Sequence, residues 1–506
     1  MSGEQYPTGF RRRCAMITLM ASTLMMSMDQ TIANVALPHI QGSLSATQEQ
    51  AAWILTSYIV CSAITMPILG WACQRWGRKR IFLLSVFGFT ATSAACGMAA
   101  DINQIVIFRA LQGISGAALL PLSQAVMLDI HPPAEHKSAM NIWAIGVIFG
   151  PIMGPVLGAW ITDSLEWRWI FYINLPVGML TFLGLMAFVS ETKIGERQPF
   201  DFFGFATLGI AVGAIQLLLD RGEFKDWFLS NEIVTESVVA GLAAYLFLVH
   251  SATGRKPFIS PQIIFNRNFI VASMVGIMQV STFVTVMTLQ PTFFQELLGY
   301  PVLLAGIAMA PRGVGMMCGA LISGRLHRFD VRHIVIVGFV LIAYGTWQMT
   351  VFSLGVDLWP IITSGLIQGL GTGLIFGSLT AVAFSTLPPH LRTEGATLYS
   401  LLRMFGTSLA IAVAEARFTE QKQVLHNQLA QYIRPDNVFA QPPFVASRFG
   451  FTASGIANFD FEVSRQAAML AYLDNFRLVA LLAVVAIPFV MLLRRPETTQ
   501  NLVIAD

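Results

Sequence analysis

Charge is what this chain has least of. Asp, Glu, Lys and Arg make up 12% of its 506 residues, hydrophobic residues make up 55%, and the mean hydropathy is +0.64. Soluble domains carry roughly a quarter of their residues as charges, so this composition excludes one and leaves an integral membrane protein. The alternating segments of about ten residues that build a membrane barrel are missing as well, and helices are then the remaining way to satisfy the backbone in lipid. No Gly-rich GxxxxGK[ST] loop is present, which argues against direct use of ATP. The five cysteines (Cys14, Cys61, Cys73, Cys96 and Cys318) have neither metal-ligand spacing nor a paired extracellular pattern, and read as packing residues. The eight histidines (His39, His131, His136, His250, His327, His333, His390 and His426) map to loops or span ends, against an intramembrane metal site or histidine relay. A multispan transferase would need His, Asp or Glu clustered at a membrane face, and the loops offer no such constellation. Enzyme activity, a resident cofactor, a metal and a nucleic-acid partner are therefore not expected.

What is abundant is the long apolar run. Spans are predicted near residues 15–37, 51–73, 81–100, 104–127, 139–162, 168–190, 202–219, 233–251, 269–291, 302–326, 334–354, 358–382, 393–416 and 473–494, each long enough to cross about 30 Å of hydrocarbon. The opening "MSGEQYPTGFRRR" is followed by a full span with no small-residue cleavage site, and reads as an uncleaved start. Basic residues gather in "FRRR", "RWGRKR", "TGRKP", "GRLHRFDVRH" and "LLRRPE", all on one side, which predicts both termini in the cytoplasm and an even number of spans. The connection 417–472 is out of proportion; its start, "FTEQKQVLHNQLAQYI", can continue as helix beyond the membrane. A weak repeat relates "GWACQRWGRKRIFLLSVFG" (70–88) to "GRLHRFDVRHIVIVG" (324–338). The fold expected is an all-α polytopic membrane protein: a six-helix bundle over 1–190, two inserted helices over 191–268, and a second six-helix bundle over 269–506.

Polar residues inside the spans are the candidate machinery. Asp29, in "MDQTIANVALP", lies about 13 Å below the outer end of the first span, and Arg109, in "FRALQG", about 8 Å below that of the fourth. Similar depths permit a contact, and pairing offsets part of the desolvation cost of both. The pair has two readings, a proton-coupling site and a permanently ionised structural bridge. Thr31 and Asn34 can hydrogen-bond within or between helices, and Asn34 and Gln112 are candidates for lining a cavity. Arg312 ("APRGVG") and Arg403 ("LLRMFG") fall near mid-membrane without a local carboxylate, Glu415 being about three turns from Arg403. An anion in a central cavity would compensate them, as would carbonyls and water.

In the fifth span, "GVIFGPIMGPVLG", Gly146, Gly150, Gly154 and Gly158 recur every four residues and form a smooth stripe for close helix approach. Pro151 and Pro155 remove donors inside that helix and favour a bend, which suits a helix that seals and unseals a pathway. The hairpin with Gly70, Arg75, Gly77 and Arg78 is a positive-inside anchor or a latch whose arginines reach helix ends.

Together these motifs resemble the fourteen-helix drug:proton antiporters of the major facilitator superfamily, of the EmrB/QacA type, over nearly the whole chain. The matching stretches are "MDQTIANVALP", "RALQGISGAALLPLSQA" and "GVIFGPIMGPVLG", with "LDRGEFKDWF" and "LPPHLR" in loops. The resemblance implies proton-linked roles for Asp29 and Arg109, export of lipophilic or amphipathic compounds across a bacterial inner membrane, and a periplasmic adaptor and outer-membrane channel reached through the long outer loop. One departure stands out: the hairpin carries Gln74 where the family usually has Asp, which puts a carboxylate latch there in doubt. An exporter or uptake permease for one specific metabolite on the same fold is the alternative.

Overall fold

The computed structural model describes residues 7, 9–191, 199–253, 258–326, 329–433 and 453–494, and among these all regular structure is helical. Thirteen helices are long and apolar enough to cross a membrane. They are α2 (Gln50–Trp76), α3 (Arg78–Gly97), α4 (Ile102–Asp129), α5 (His136–Thr162), α6 (Trp169–Phe188), α7 (Phe202–Arg221) and α8 (Asn231–Thr253), then α9 (Arg267–Leu297), α10 (Leu304–Arg325), α11 (Val331–Met349), α12 (Leu358–Ser385), α13 (Arg392–Ala430) and α14 (Gly455–Met491). Ahead of them runs α1 (Gly9–Ser43), 35 residues long, whose Asp29, Gln30, Thr31 and Asn34 keep it short of the apolarity that the thirteen reach. It completes the fourteen spans expected, and its polarity already marks it as the functional helix.

The helices begin where polar residues precede apolar runs. Thr47 and Gln50 form a reciprocal capping box before α2, and Asp101, Asp201, Asn266 and Asp330 each accept a backbone N–H from the first turn that follows. Three spans are broken rather than straight. α2 passes through a short 3-10 stretch at Met66–Ile68 around Pro67, α4 turns at Ala117 and Ala118, and α6 breaks at Ile173. α5 runs through both Pro151 and Pro155 as one helix.

α13 and α14 are 39 and 37 residues long, well beyond the about 20 needed to span. The helical continuation expected at 417 is present, and the predicted fourteenth span, 473–494, is only the second half of its helix. The two are tied by Arg417 donating to Asp474 (2.8 Å), by His426 against Asp460 (3.0 Å), and by the Phe418 and Tyr472 rings, 4.5 Å apart. Residues 434–452 of the long connection lie outside the described residues.

Buried apolar side chains divide into three clusters, and their division is informative. One joins both halves of the molecule at the face carrying the basic hairpin, from Phe82 and Met140 to Phe269 and Phe384. At the opposite face each half has its own: Ile32, Ile54, Ile105 and Phe171 in one, Val286, Phe293, Phe352 and Phe476 in the other. The two bundles are thus packed together at the basic face and separately cored at the other. α7 packs against α2, α8 and α13, and α8 chiefly against α7, with Leu242, Tyr245 and Leu248 exposed outward as lipid contact requires.

Candidate functional site

α1, α4 and α6 converge on one carboxylate. Asp29 Oδ2 accepts from Arg109 Nη1 (2.7 Å), and Oδ1 accepts from Gln112 Nε2 (3.0 Å) and Asn174 Nδ2 (2.9 Å). Arg109 also donates from Nη1 to Gln112 Oε1 (2.8 Å) and from Nε to the carbonyl of Ile54 (3.2 Å), while its guanidinium lies over the Tyr58 ring at 4.5 Å. Asn174 is held in turn by Ser93, whose hydroxyl donates to the Phe171 carbonyl (2.8 Å). Asp29, Arg109, Gln112, Asn174 and Ser93 are all at most 1% exposed.

The local sequence explains the convergence. Arg109 and Gln112, three residues apart, share a helix face. Gly113 lets the Tyr58 carbonyl come so near that an added Cβ would lie 2.3 Å from it, drawing α2 and the Ile54 acceptor against α4. The break at Ile173 starts a new helical segment at Asn174 and aims its amide inward. The two oxygens of one carboxylate can accept all three of these N–H donors.

The other expected residues lie elsewhere. Gln112 belongs to this closed cage rather than to an open cavity. Asn34, a little over one turn farther along α1, is exposed on the half where the bundles have separate cores. Thr31 donates to carbonyls of its own helix and, at 3.4 Å, to Gly150 of α5. That bond lies in the α1 contact of the glycine stripe: Cβ atoms added at Gly150 and Gly154 would sit 2.0 Å from Ser27 Oγ and Thr31 Oγ1. Arg312 and Arg403 are in the second bundle, apart from the cage. Arg403 lies on the Phe376 ring at 4.3 Å, and Phe376 stacks on Trp143 of the first bundle. Arg312 is 5% exposed, and its Nε and Nη2 have no partner.

At the basic face Gly77 makes the hairpin turn with φ of 92°, a conformation that favours glycine. Arg75 rests near the Trp71 ring, and Arg78 reaches Asp129 at the end of α4. Asp129 also accepts from Arg392 of α13 (3.1 Å), so one carboxylate ties the hairpin to the other bundle. The latch expected from helix-end carbonyls is built on a carboxylate instead, and Gln74 does not provide it. Gly70 packs against the Glu394 side chain of α13 at 3.3 Å from its missing Cβ.

Sequence reasoning missed Asn174, Ser93, Asp129 and Arg392. Asn174 was visible as an amide within an otherwise apolar span. Asp129 and Arg392 sit at span ends, where charges are ordinary, and nothing local distinguishes them.

Two helical bundles sealed together at one face, the first of them closed around a caged intramembrane carboxylate, define a polytopic membrane transporter. The chain belongs to the Major Facilitator Superfamily, whose family model matches residues 19–411. It is 34% identical to the multidrug export protein EmrB of Escherichia coli K12 over 84% of each chain. It is 29% identical to the fatty acid resistance protein FarB of Neisseria gonorrhoeae, over 95% of this chain and 96% of that one. Among solved structures, the human organic anion transporter MFSD10 superposes with a TM-score of 0.60 at 14% identity, covering 93% of this chain and 99% of that one, and shows the shared fold.

Proposed function

We propose that this protein is a proton-coupled efflux permease that exports lipophilic and amphipathic compounds, anionic ones among them, by alternating access. The observation that carries the proposal is the Asp29 cage. An added proton would turn one Asp29 oxygen into a donor facing groups that themselves donate, so uptake of H⁺ is favoured when Arg109, Gln112 or Asn174 withdraws. The three donors come from α4 and α6 while the carboxylate is on α1, and relative movement of these helices couples the proton to the tilt of the bundle. Arg109 stays charged throughout and positions rather than carries the proton.

Taking the basic face as cytoplasmic, with both termini there, the common core seals the inner side and the separate cores belong to an outward-facing arrangement. The glycine stripe gives α5 a smooth face against α1, and the donors missing at Pro151 and Pro155 suit a helix that opens and closes there. Export by relatives named for multidrug and fatty acid resistance supports amphipathic cargo. The membrane is then the bacterial inner membrane, no cofactor is needed beyond the proton gradient, and the extended α13 and α14 hairpin meets a periplasmic adaptor that leads to an outer-membrane channel.

The test is transport in proteoliposomes with and without an imposed pH gradient. Asp29→Asn is expected to insert normally and to lose gradient-driven export of a lipophilic cation. Export equal to wild type would remove Asp29 from the mechanism.

A further inference from the structure

The two bundles repeat each other closely enough to ask what the second holds where the first holds Asp29. Buried positions of α1 recur in α9: Ser22, Asp29, Ala33 and Ala36 match Val275, Thr282, Val286 and Leu289 in spacing and burial. "RALQG" (109–113) of α4 corresponds to "GLIQG" (365–369) of α12. The packing confirms the register, since an added Cβ at Gly113 would meet the Tyr58 carbonyl of α2, and one at Gly369 would meet the Arg312 carbonyl of α10. Asn475 of α14 is a second buried amide, its Nδ2 donating to the Ala471 carbonyl of its own helix (3.1 Å), and Thr346 of α11 accepts from Gln368 Nε2 at 2.9 Å.

The second bundle therefore keeps an arginine and lacks the carboxylate. Thr282 replaces the carboxylate and donates to the Gln279 carbonyl of its own helix. Gly365 stands at the position of Arg109, and the buried arginine of this bundle, Arg312, is carried by the neighbouring α10, whose backbone lies against Gly365 and Gly369. No carboxylate pairs with Arg312 among the described residues, and its Nε and Nη2 are unpartnered, as are the amide oxygens of Gln368 and Asn475. A guanidinium 5% exposed and without an anion is costly to keep, and removing a charged partner from such a site typically costs more than the pair was worth. What completes the site is an anion from outside the chain.

We infer that Arg312 receives the carboxylate of an amphipathic acid exported by this protein. The planar fork of Arg matches a carboxylate's two oxygens. One and two turns away on the same helix, Ala308 and Ala305 enter the apolar cluster of Phe293, Tyr472 and Phe476, which suits the hydrocarbon part. Gly313, the next residue, packs on Ile152 beside Pro151, so the site adjoins the helix that moves between bundles. This rests on the export reading above for the cargo but not on proton coupling.

The test is equilibrium binding to the full chain in nanodiscs without any gradient, so that its failure and that of the antiport reading are separable. Naphthaleneacetate, naphthaleneethanol and naphthaleneethylammonium are the probes, and calorimetry is the readout. Wild type is expected to bind the carboxylate at least tenfold more tightly than the alcohol; Arg312→Gln abolishes that preference and Arg312→Lys keeps part of it. Because Arg312→Gln removes an unpaired buried charge, the ligand-free variant is expected to melt no lower than wild type. Naphthaleneacetate in turn is expected to raise the melting temperature of wild type only. Equal carboxylate affinity in wild type and Arg312→Gln would overturn the inference. So would chloride saturating the site while naphthaleneacetate leaves it untouched, since the anion would then be inorganic.

Discussion

At the scale of single residues, the two bundles use opposite solutions to one difficulty. Asp29 is an acid buried with its compensation built in, whereas Arg312 is a base buried with none. The first can be tested by stability. Arg109→Ala leaves the Asp29 carboxylate with amide donors alone in a site closed to water, and breaking a buried pair from one side costs about 3–5 kcal/mol. Asp29→Asn with Arg109→Gln removes both charges and is expected to cost much less than the two single changes together. Thermal unfolding of the four proteins in detergent measures this coupling, and simple additivity would mean the charges do not sense each other. The pair itself was legible in the sequence, because helix geometry puts Asp29 and Arg109 at comparable depth. The completion of the cage by Asn174 was not, because it depends on the break at Ile173, and a chain reading does not reveal which way a residue after a break is aimed.

At the scale of helices, the glycine stripe of α5 carries more than close packing. Its partner is α1, the helix that holds Asp29, so the separation of the two backbones sets where the carboxylate lies. A methyl group at Gly150 would fall 2.7 Å from the Met28 backbone nitrogen as well as on Ser27 Oγ, and a helix backbone cannot step aside as a side chain can. At Gly158 the nearest atom is Ile32 Cγ1, at 2.9 Å, which can rotate. Gly150→Ala is expected to cost about 1–3 kcal/mol, as overpacking does, and Gly158→Ala clearly less. Melting temperatures of the two variants check the order, and transport by Gly150→Ala should fall further than its stability does, because α1, which carries Asp29, is displaced relative to the donors on α4 and α6. The repeat of glycine every four residues announced the stripe in the sequence. Its partner helix was not announced, since small residues permit contact without naming what fills the space.

At the scale of the whole molecule, the sealed face is held by few polar ties across the bundles. Arg392 donates to Asp129 (3.1 Å), Lys137 Nζ donates to the Leu326 carbonyl (2.9 Å), and Trp143 stacks on Phe376. The fourteen-helix, two-bundle plan was legible from apolar runs and loop charges, but which face is closed depends on pairs such as this, hundreds of residues apart. Asp129 is the most exposed to test because it serves two arginines: Arg78 holds the hairpin to α4 within one bundle, and Arg392 alone crosses to the other. Partly exposed ion pairs contribute about 0–1 kcal/mol, and the upper end of that range is about a fivefold change in the ratio of closed to open molecules. Arg392→Ala is therefore expected to raise the population open at the basic face by up to that factor, without unfolding it, since the apolar core and the Lys137 tie remain. Asp129→Asn is expected to shift it further by freeing the hairpin as well. Spin labels on the basic-face ends of α3 and α11 report the distance distribution directly. If both variants gave the wild-type distribution, the Asp129 carboxylate would be an anchor for loops and the seal would rest on the apolar core alone.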